Sequence, residues 1–400
     1  MMKKLPLLLF LTGLIYLCFQ LLARQSTKPV ASPAPNQQTQ KLEELKFFSQ
    51  LFHFDTTFPL EQRPEILFER AKCAILNSSS IFLTNDSGDE LYRYHLDGTF
   101  DRVIAIKGEG PGEINRLEYA TKIFGNQVAF WDLFRGQIIV FNDKGNHQFS
   151  LNVDNPSLTD GAWLPRPAAF HWETAEEIVF SNLQIRDRPN IRSGKAHVVW
   201  NEEGKITRLD LKEPIGSRNL EHENKYAPSS IYDLHKIGTK YWVGSPEFSS
   251  LQIYDFVTLT ENIIPIRVPD PLTQEHYDNL DLSDKKARRW LINYHGYVQE
   301  IISLPELQLV KVGMRGYVPF SNDGEQLLER RLISGLSGFK DVHNGTILFI
   351  TSKRNLRFLE NKHSIVLIKD PSHASLDDDH PFGLLARLKP EYSGDPKRNL

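Results

Sequence analysis

A chain of 400 residues with 24 Phe, 13 Tyr and 6 Trp against 3 Met carries enough apolar material for a large core and leans toward β structure. Its formal net charge of −3, from 47 basic and 50 acidic residues, excludes the broad positive field that captures nucleic-acid backbones, so no nucleic-acid partner is expected. Of its 2 cysteines only Cys73 lies beyond the N-terminal stretch, which excludes an internal disulfide or a cysteine-rich metal site in the remainder.

Lys3 and Lys4 precede an uncharged run from Leu5 to Leu22, whose length lies between a signal-peptide core and a membrane-spanning helix. No small-x-small cleavage site follows closely, and no small residue stands directly before Cys18. An uncleaved signal-anchor over residues 1–24 is therefore expected, with a cleaved signal peptide as the alternative. The basic residues ahead of the run favour a cytoplasmic N-terminus and an extracytoplasmic, periplasmic position for the bulk of the chain. Residues 25–42 begin "QSTKPVASPAPNQQTQ", polar and Pro-rich, the composition of a flexible tether.

Next comes a repeat. "IFLTNDSGDELYRYHLDGTF" (81–100) and "VAFWDLFRGQIIVFNDKGNHQF" (128–149) share a short apolar strand, a polar turn, a second strand ending in an aromatic, then a charged residue and a glycine. Tyr94 corresponds to Phe141 and Gly98 to Gly145; a third copy, "AHVVWNEEGKI" (196–206), puts Trp200 and Gly204 in the same roles. Its spacing is enlarged by the polar stretch 184–194, expected to be a longer turn. Weaker copies at 240–258 and 345–370 keep a pair of strands without the glycine. Short runs broken by Gly, Asn and Asp at hairpin spacing argue antiparallel strands, and units of this length suit the blades of a β-propeller.

The stretch "GEGPGEINRLEYATKIFGNQVAFWDLFRGQIIVFNDKGN" resembles the NHL-type repeat, and more closely the six-bladed β-propeller family of exported bacterial proteins that carries a Gly-x-Gly-Pro-Gly-Glu turn before a blade. The resemblance is close over about 81–154 and fainter from 169 to the 370s. It implies a fold and no single shared activity. The chain departs from the NHL pattern at "WDLFRGQ", where Leu133 and Phe134 replace small turn residues. A phosphate cradle would need its glycines at the start of a helix, whereas strand signals follow here. Gly108, Gly110, Pro111 and Gly112 are accordingly read as a structural turn between blades, with an anion site as the alternative.

The expected architecture is all-β, a six-bladed propeller over 43–390 with a C-terminal tail at 391–400. Seven blades is the alternative, because 43–76 holds further strand-like runs; part of that region is expected to complete the last blade. From Ser283, "SDKKARRWLINYHGYVQEII" puts Ala287, Trp290, Leu291, Tyr294 and Val298 on one helical face, predicting an inserted helix near 283–298.

Catalytic motifs are absent: the chain has no G-x-S-x-G, H-E-x-x-H, C-x-x-C or complete EF-hand loop. His95, His171, His197, His235 and His343 fall in or beside strands and read as structural. "NDSGDE" (85–90) suits a turn by itself, and "SLDDDHPF" (375–382) a solvated charge run. In a propeller the loops between second and third strands share a face with the blade-to-blade crossings. That places Asn85, Asp86, Glu109, Glu113, Asp132, Arg135, Arg186, Arg188 and Arg192 around one rim as candidate ligand-binding residues, with arginines suited to anionic groups and mutual loop support as the bland alternative. The expected function is a non-enzymatic binding or scaffold module for a protein, peptide or glycan, touching the membrane through its N-terminal helix and needing no cofactor. The alternative is a lactonase-like hydrolase or lyase with a divalent metal in the central channel.

Overall fold

The computed structural model describes residues 42–392 apart from 154–161, 164–169, 186–187, 203–205, 212–233, 245–249, 269–283, 285–297, 313–315, 334–337 and positions 43, 65, 67, 256, 259, 364 and 365. Six antiparallel sheets form in chain order. The first blade is Ala74–Leu76, Ser80–Thr84, Glu90–His95 and Phe100–Ile106; the second is Leu117–Ile123, Gln127–Asp132, Gln137–Phe141 and His147–Asn152. The third is Phe170–Thr174, Glu177–Ile185, Arg188–Trp200 and Ile206–Leu211, with Ala162–Trp163 added beside the second strand. The fourth is Leu234–Ile237, Lys240–Gly244, Ser250–Asp255 and Thr260–Pro265, and the fifth is Val298–Ser303, Gln308–Val312, Gly316–Phe320 and Leu332–Ile333. The sixth takes Phe339–His343, Thr346–Ser352 and Pro381–Leu388 from the end of the chain and Phe52–Pro59 from its beginning. The first strand of each blade touches the first strand of the next around a complete circuit.

The packing explains the apolar runs. Blade two's "VAFW" points Val128 and Phe130 toward blade one, beside Phe82 and Leu91, and Ala129 and Trp131 toward blade three, beside Trp172 and Phe180. Central strands are covered on both faces, so both sets of alternating side chains are apolar. Each pair of successive blades encloses one such cluster, including the pair of last and first, where Leu348 and Ile350 meet Tyr92 and Tyr94. One blade alone could not bury both faces; the ring does.

The repeat has a geometric cause. Tyr94, Phe141 and Trp200 all stand near the end of a third strand, paired with Phe100, His147 and Ile206 at the start of the fourth. The glycine in between turns the hairpin with positive φ, +87° at Gly98 and +81° at Gly145, a conformation that side chains with a Cβ resist.

Several expectations need correcting. Residues 184, 185 and 188–194 are strand, the end of a long hairpin formed by Glu177–Ile185 and Arg188–Trp200, held by backbone pairing that runs from Glu177 opposite His197 to Ile185 opposite Arg188. Among the described residues the run from 353 to 370 holds no second strand: Lys353–His363 is an α-helix, α1, whose Leu356 and Leu359 sit fully buried at helical spacing. Residues 285–297 lie outside the described residues, and Val298 opens a strand instead of closing a helix. The proposed anchor, and the tether up to residue 41, also lie outside them, whereas Leu42 at the tether's end is fully buried in the cluster between blades five and six and belongs to the domain; among the described residues no helix is long and apolar enough to cross a membrane.

Candidate functional site

The glycine cluster lies on the crossing from blade one to blade two. Gly108 N–H donates to the Ile114 carbonyl (3.0 Å), Glu113 N–H to the Gly110 carbonyl (3.1 Å), and Ile114 N–H to the Ile106 carbonyl (3.1 Å). Gly112 has φ +76°, and a strand follows at Leu117. Glu113 folds back so that its carboxylate accepts from Gly110 N–H at 2.5 Å.

Asp132 and Arg135 tie this crossing to the loop between blade two's second and third strands. The buried Asp132 carboxylate accepts four backbone N–H bonds: from Asn115 (2.5 Å) and Arg116 (3.2 Å) on the crossing, and from Phe134 (3.1 Å) and Arg135 (3.2 Å) on its own loop. Arg135 donates to the carbonyls of Glu113 (2.8 Å) and Gly108 and pairs with the outward-facing Glu109 at 3.4 Å. The structure thus gathers four sequence-selected residues, Glu109, Glu113, Asp132 and Arg135, on one loop assembly. Asn85 and Asp86 stand on the neighbouring loop of blade one. There the Asn85 side-chain oxygen accepts from Gly88 (2.9 Å) and Asp89 (3.1 Å), and Asp86 accepts from Arg70 N–H (2.6 Å). A Leu117 N–H bond to the Gly88 carbonyl (2.7 Å) joins the two loops. Arg188 and Arg192 belong to the blade-three hairpin strand, opposite Ile185 and Leu183; Arg186 lies outside the described residues.

Beside this assembly a hollow of about 590 Å³ is lined by Pro111, Phe134, Arg135, Gln137, His147 and Ser150 among others. Phe134 is 53% exposed at its edge, with the Arg116 guanidinium 5.5 Å from its ring centre.

A second cavity, of about 410 Å³, is the central channel, lined by residues of the innermost strands of all six blades or the segments leading into them. Its wall is charged, which the reading by motif missed. Lys72 pairs with Glu118 (2.5 Å), which Arg116 also reaches (2.7 Å). Lys122 pairs with Asp341 (2.8 Å) and donates to the Val342 carbonyl (2.6 Å), spanning from blade two to blade six. Asp341 also accepts from Leu76 N–H at 2.8 Å. Lys236 meets Glu173 (3.0 Å), while Glu300 takes Lys311 (3.5 Å) and the Tyr317 hydroxyl (2.7 Å). Desolvation, aided by the nearby Lys236 charge, lowers the His171 pKa to about 4, so the ring is neutral at ordinary pH. Burial pushes the Cys73 thiol up to about 12 and leaves it protonated and unreactive. The available signal was a Lys, His or Glu interrupting the short inner strands of blades two to six, and Lys72 just ahead of that of blade one, legible only once those strands are known to be innermost.

No protein-family model matches the chain, and no curated protein does. Among solved structures, a candidate exported protein from Bacteroides fragilis NCTC 9343 superposes with a TM-score of 0.52 at 12% identity, covering 86% of this chain and 97% of that one. A DUF4221 family member from Bacteroides vulgatus gives 0.48 at 10% identity over 84% and 97%, and virginiamycin B lyase from Staphylococcus aureus gives 0.41 at 10% over 84% and 99%; neither of these carries an argument about function. The likeness is one of fold, and together with the six sheets and the closed circuit of inner strands it establishes the chain as a six-bladed β-propeller, as the resemblance of its glycine-rich turn and repeats implied.

Proposed function

We propose that this propeller is an extracytoplasmic, membrane-tethered binding or scaffold module that meets a protein, peptide or glycan through the loop face of blades one and two. The observation that carries the reading is Phe134, 53% exposed on a loop whose neighbours are locked by Asp132 and Arg135. A large aromatic displayed on a rigid support offers contact area at little ordering cost, the property that makes such residues anchors in interfaces. The adjoining hollow, with Arg135, Gln137, His147 and Ser150, supplies polar groups around the apolar one. The extracytoplasmic position rests on Lys3, Lys4 and the apolar run after them, with which the candidate exported protein among the structural neighbours agrees.

A photo-crosslinking amino acid placed at position 134 of the full chain, in cells, tests this. A discrete adduct at 134 that is missing when the probe replaces Val257, 75% exposed on a turn of the opposite face, is the expected result; no adduct at 134, or the same adducts at both, would overturn it.

A divalent-metal hydrolase or lyase in the channel would need three converging donors. Among the described residues no three His, Cys, Asp or Glu side chains converge, and Glu118 and Asp341 already face cations.

A further inference from the structure

The ion pairs around the channel leave a charge imbalance. Among the described residues, Glu118, Glu173, Glu300 and Asp341 each face a cation, and Glu118 faces two. Lys340, on the inner strand of blade six, lines the same cavity without a carboxylate inside ion-pairing distance among those residues. Its ammonium donates instead to the carbonyls of Ala71 and of Lys72 (3.3 Å). Two carbonyls orient an ammonium but supply only partial charges against a whole one, and leave its third N–H without an acceptor among the described residues. Desolvation accordingly lowers the Lys340 pKa, although Glu300 and Asp86 at longer range work against the shift. The positive excess sits in a well that opens to solvent on one side and has protein walls of low dielectric, where it acts on a ligand more strongly than it would in bulk water. At about 410 Å³ the cavity is within the range of small-molecule sites. Lys122, crossing from blade two to Asp341 of blade six, narrows one side of the well.

We infer that the central channel is a binding site for a small, sugar-sized organic oxyanion, a carboxylate or a phosphate ester, whose charged end sits on Lys340. Neutral His171, lining the same well, offers one donor and one acceptor for hydroxyl groups on the body of the ligand. This site is separate from the loop-face hollow, with which it shares no lining residue.

Isothermal titration calorimetry of the full chain with glucuronate, glucose 6-phosphate, inorganic phosphate and uncharged glucose tests the inference. Glucuronate or glucose 6-phosphate is expected to bind with a Kd of about 1 mM or tighter and glucose not at all; which of the two anions binds better distinguishes carboxylate from phosphate as the recognised group. Lys340→Met should weaken binding at least about tenfold, Lys340→Arg should retain it, and Phe134→Ala should leave it unchanged. No binding of either organic anion up to about 10 mM, or equal binding by Lys340→Met, would overturn the inference and reduce Lys340 to a staple between blades six and one. If Lys340→Met does not fold, the thermal midpoint of the unaltered protein decides: a rise with glucuronate or glucose 6-phosphate over matched glucose supports the site, and an equal response to all three overturns it.

Discussion

Asp132 shows how one side chain organises two loops that are distant in sequence. Its carboxylate is buried and accepts N–H bonds from residues 115 and 116 as well as from 134 and 135. Asp132→Asn exchanges one acceptor oxygen for an amide that faces backbone donors, and should cost about 2–3 kcal/mol in urea unfolding; a loss under about 0.5 kcal/mol would mean that the loops find other acceptors. The position of Asp132 at the end of a strand was legible in "WDLFRGQ". Half of its partners were not, because they come from the preceding blade crossing. His171 offers a test in pH. Its folded pKa of about 4 lies below the ordinary histidine value of 6.5, so between those values the unfolded chain binds the additional proton. The stability that neutral His171 contributes is complete above about pH 6.5 and is lost as pH falls toward 4. Glu173, Lys236, His235 and Tyr241 face the ring or act on it electrostatically. Replacing His171 with Gln should therefore shrink the stability lost between about pH 7 and about pH 5 by about 1–2 kcal/mol. An unchanged pH dependence would mean that the ring stays hydrated.

At the scale of elements, legibility followed burial. Strands such as Ser80–Thr84 and Gln137–Phe141 are apolar on both faces and bounded by turn residues, and they stood out. Helix α1 did not: "KRNLRFLENKH" has few apolar residues and continues directly from the strand "ILFIT". Among the described residues the buried stripe of the helix is Lys353, Leu356 and Leu359, with the two leucines in the cluster between blades five and six. Phe358, next in sequence, is 52% exposed, with Lys362 over its ring at 5.4 Å. Leu359→Ala should thus destabilise by about 2–4 kcal/mol through lost transfer energy and a cavity, whereas Phe358→Ala, although larger, should stay within about 0.5 kcal/mol. Equal costs in thermal or urea unfolding would show that α1 is docked on a different face. The blade-three hairpin has the opposite lesson. Its charged tip reads as a loop because Arg186, Asp187, Arg188 and Arg192 interrupt the apolar pattern, whereas backbone ladder pairing such as Gln184 opposite Ile191 needs no apolar side chain.

The ring as a whole depends on a pairing between its two ends. Phe52–Pro59 lies antiparallel to Pro381–Leu388, paired from Phe52 opposite Leu388 to Pro59 opposite Phe382 with a register shift between Phe54 and Thr56, so the outermost strand of the last blade comes from the start of the domain. This also resolves the number of blades: of the strand-like runs before position 77, one completes blade six and Ala74–Leu76 opens blade one. Joining segments so distant carries a large loop-closure cost. It is offset by burial of Phe52 against Phe349, ring centres 6.1 Å apart and edge to face, and of Phe58 in the cluster between blades six and one. Without the strand, Pro381–Leu388 becomes an open edge with few charges, which favours pairing with other chains. A chain lacking residues 1–41 retains the clasp and should unfold in one transition as a monomer. One lacking residues 1–59 should lose cooperativity or associate in size-exclusion chromatography. A synthetic peptide of residues 48–60, added during refolding, should restore the monomer by filling the vacant edge. If the shorter chain is monomeric with an unchanged midpoint, the inter-blade clusters alone hold the ring and the clasp is dispensable.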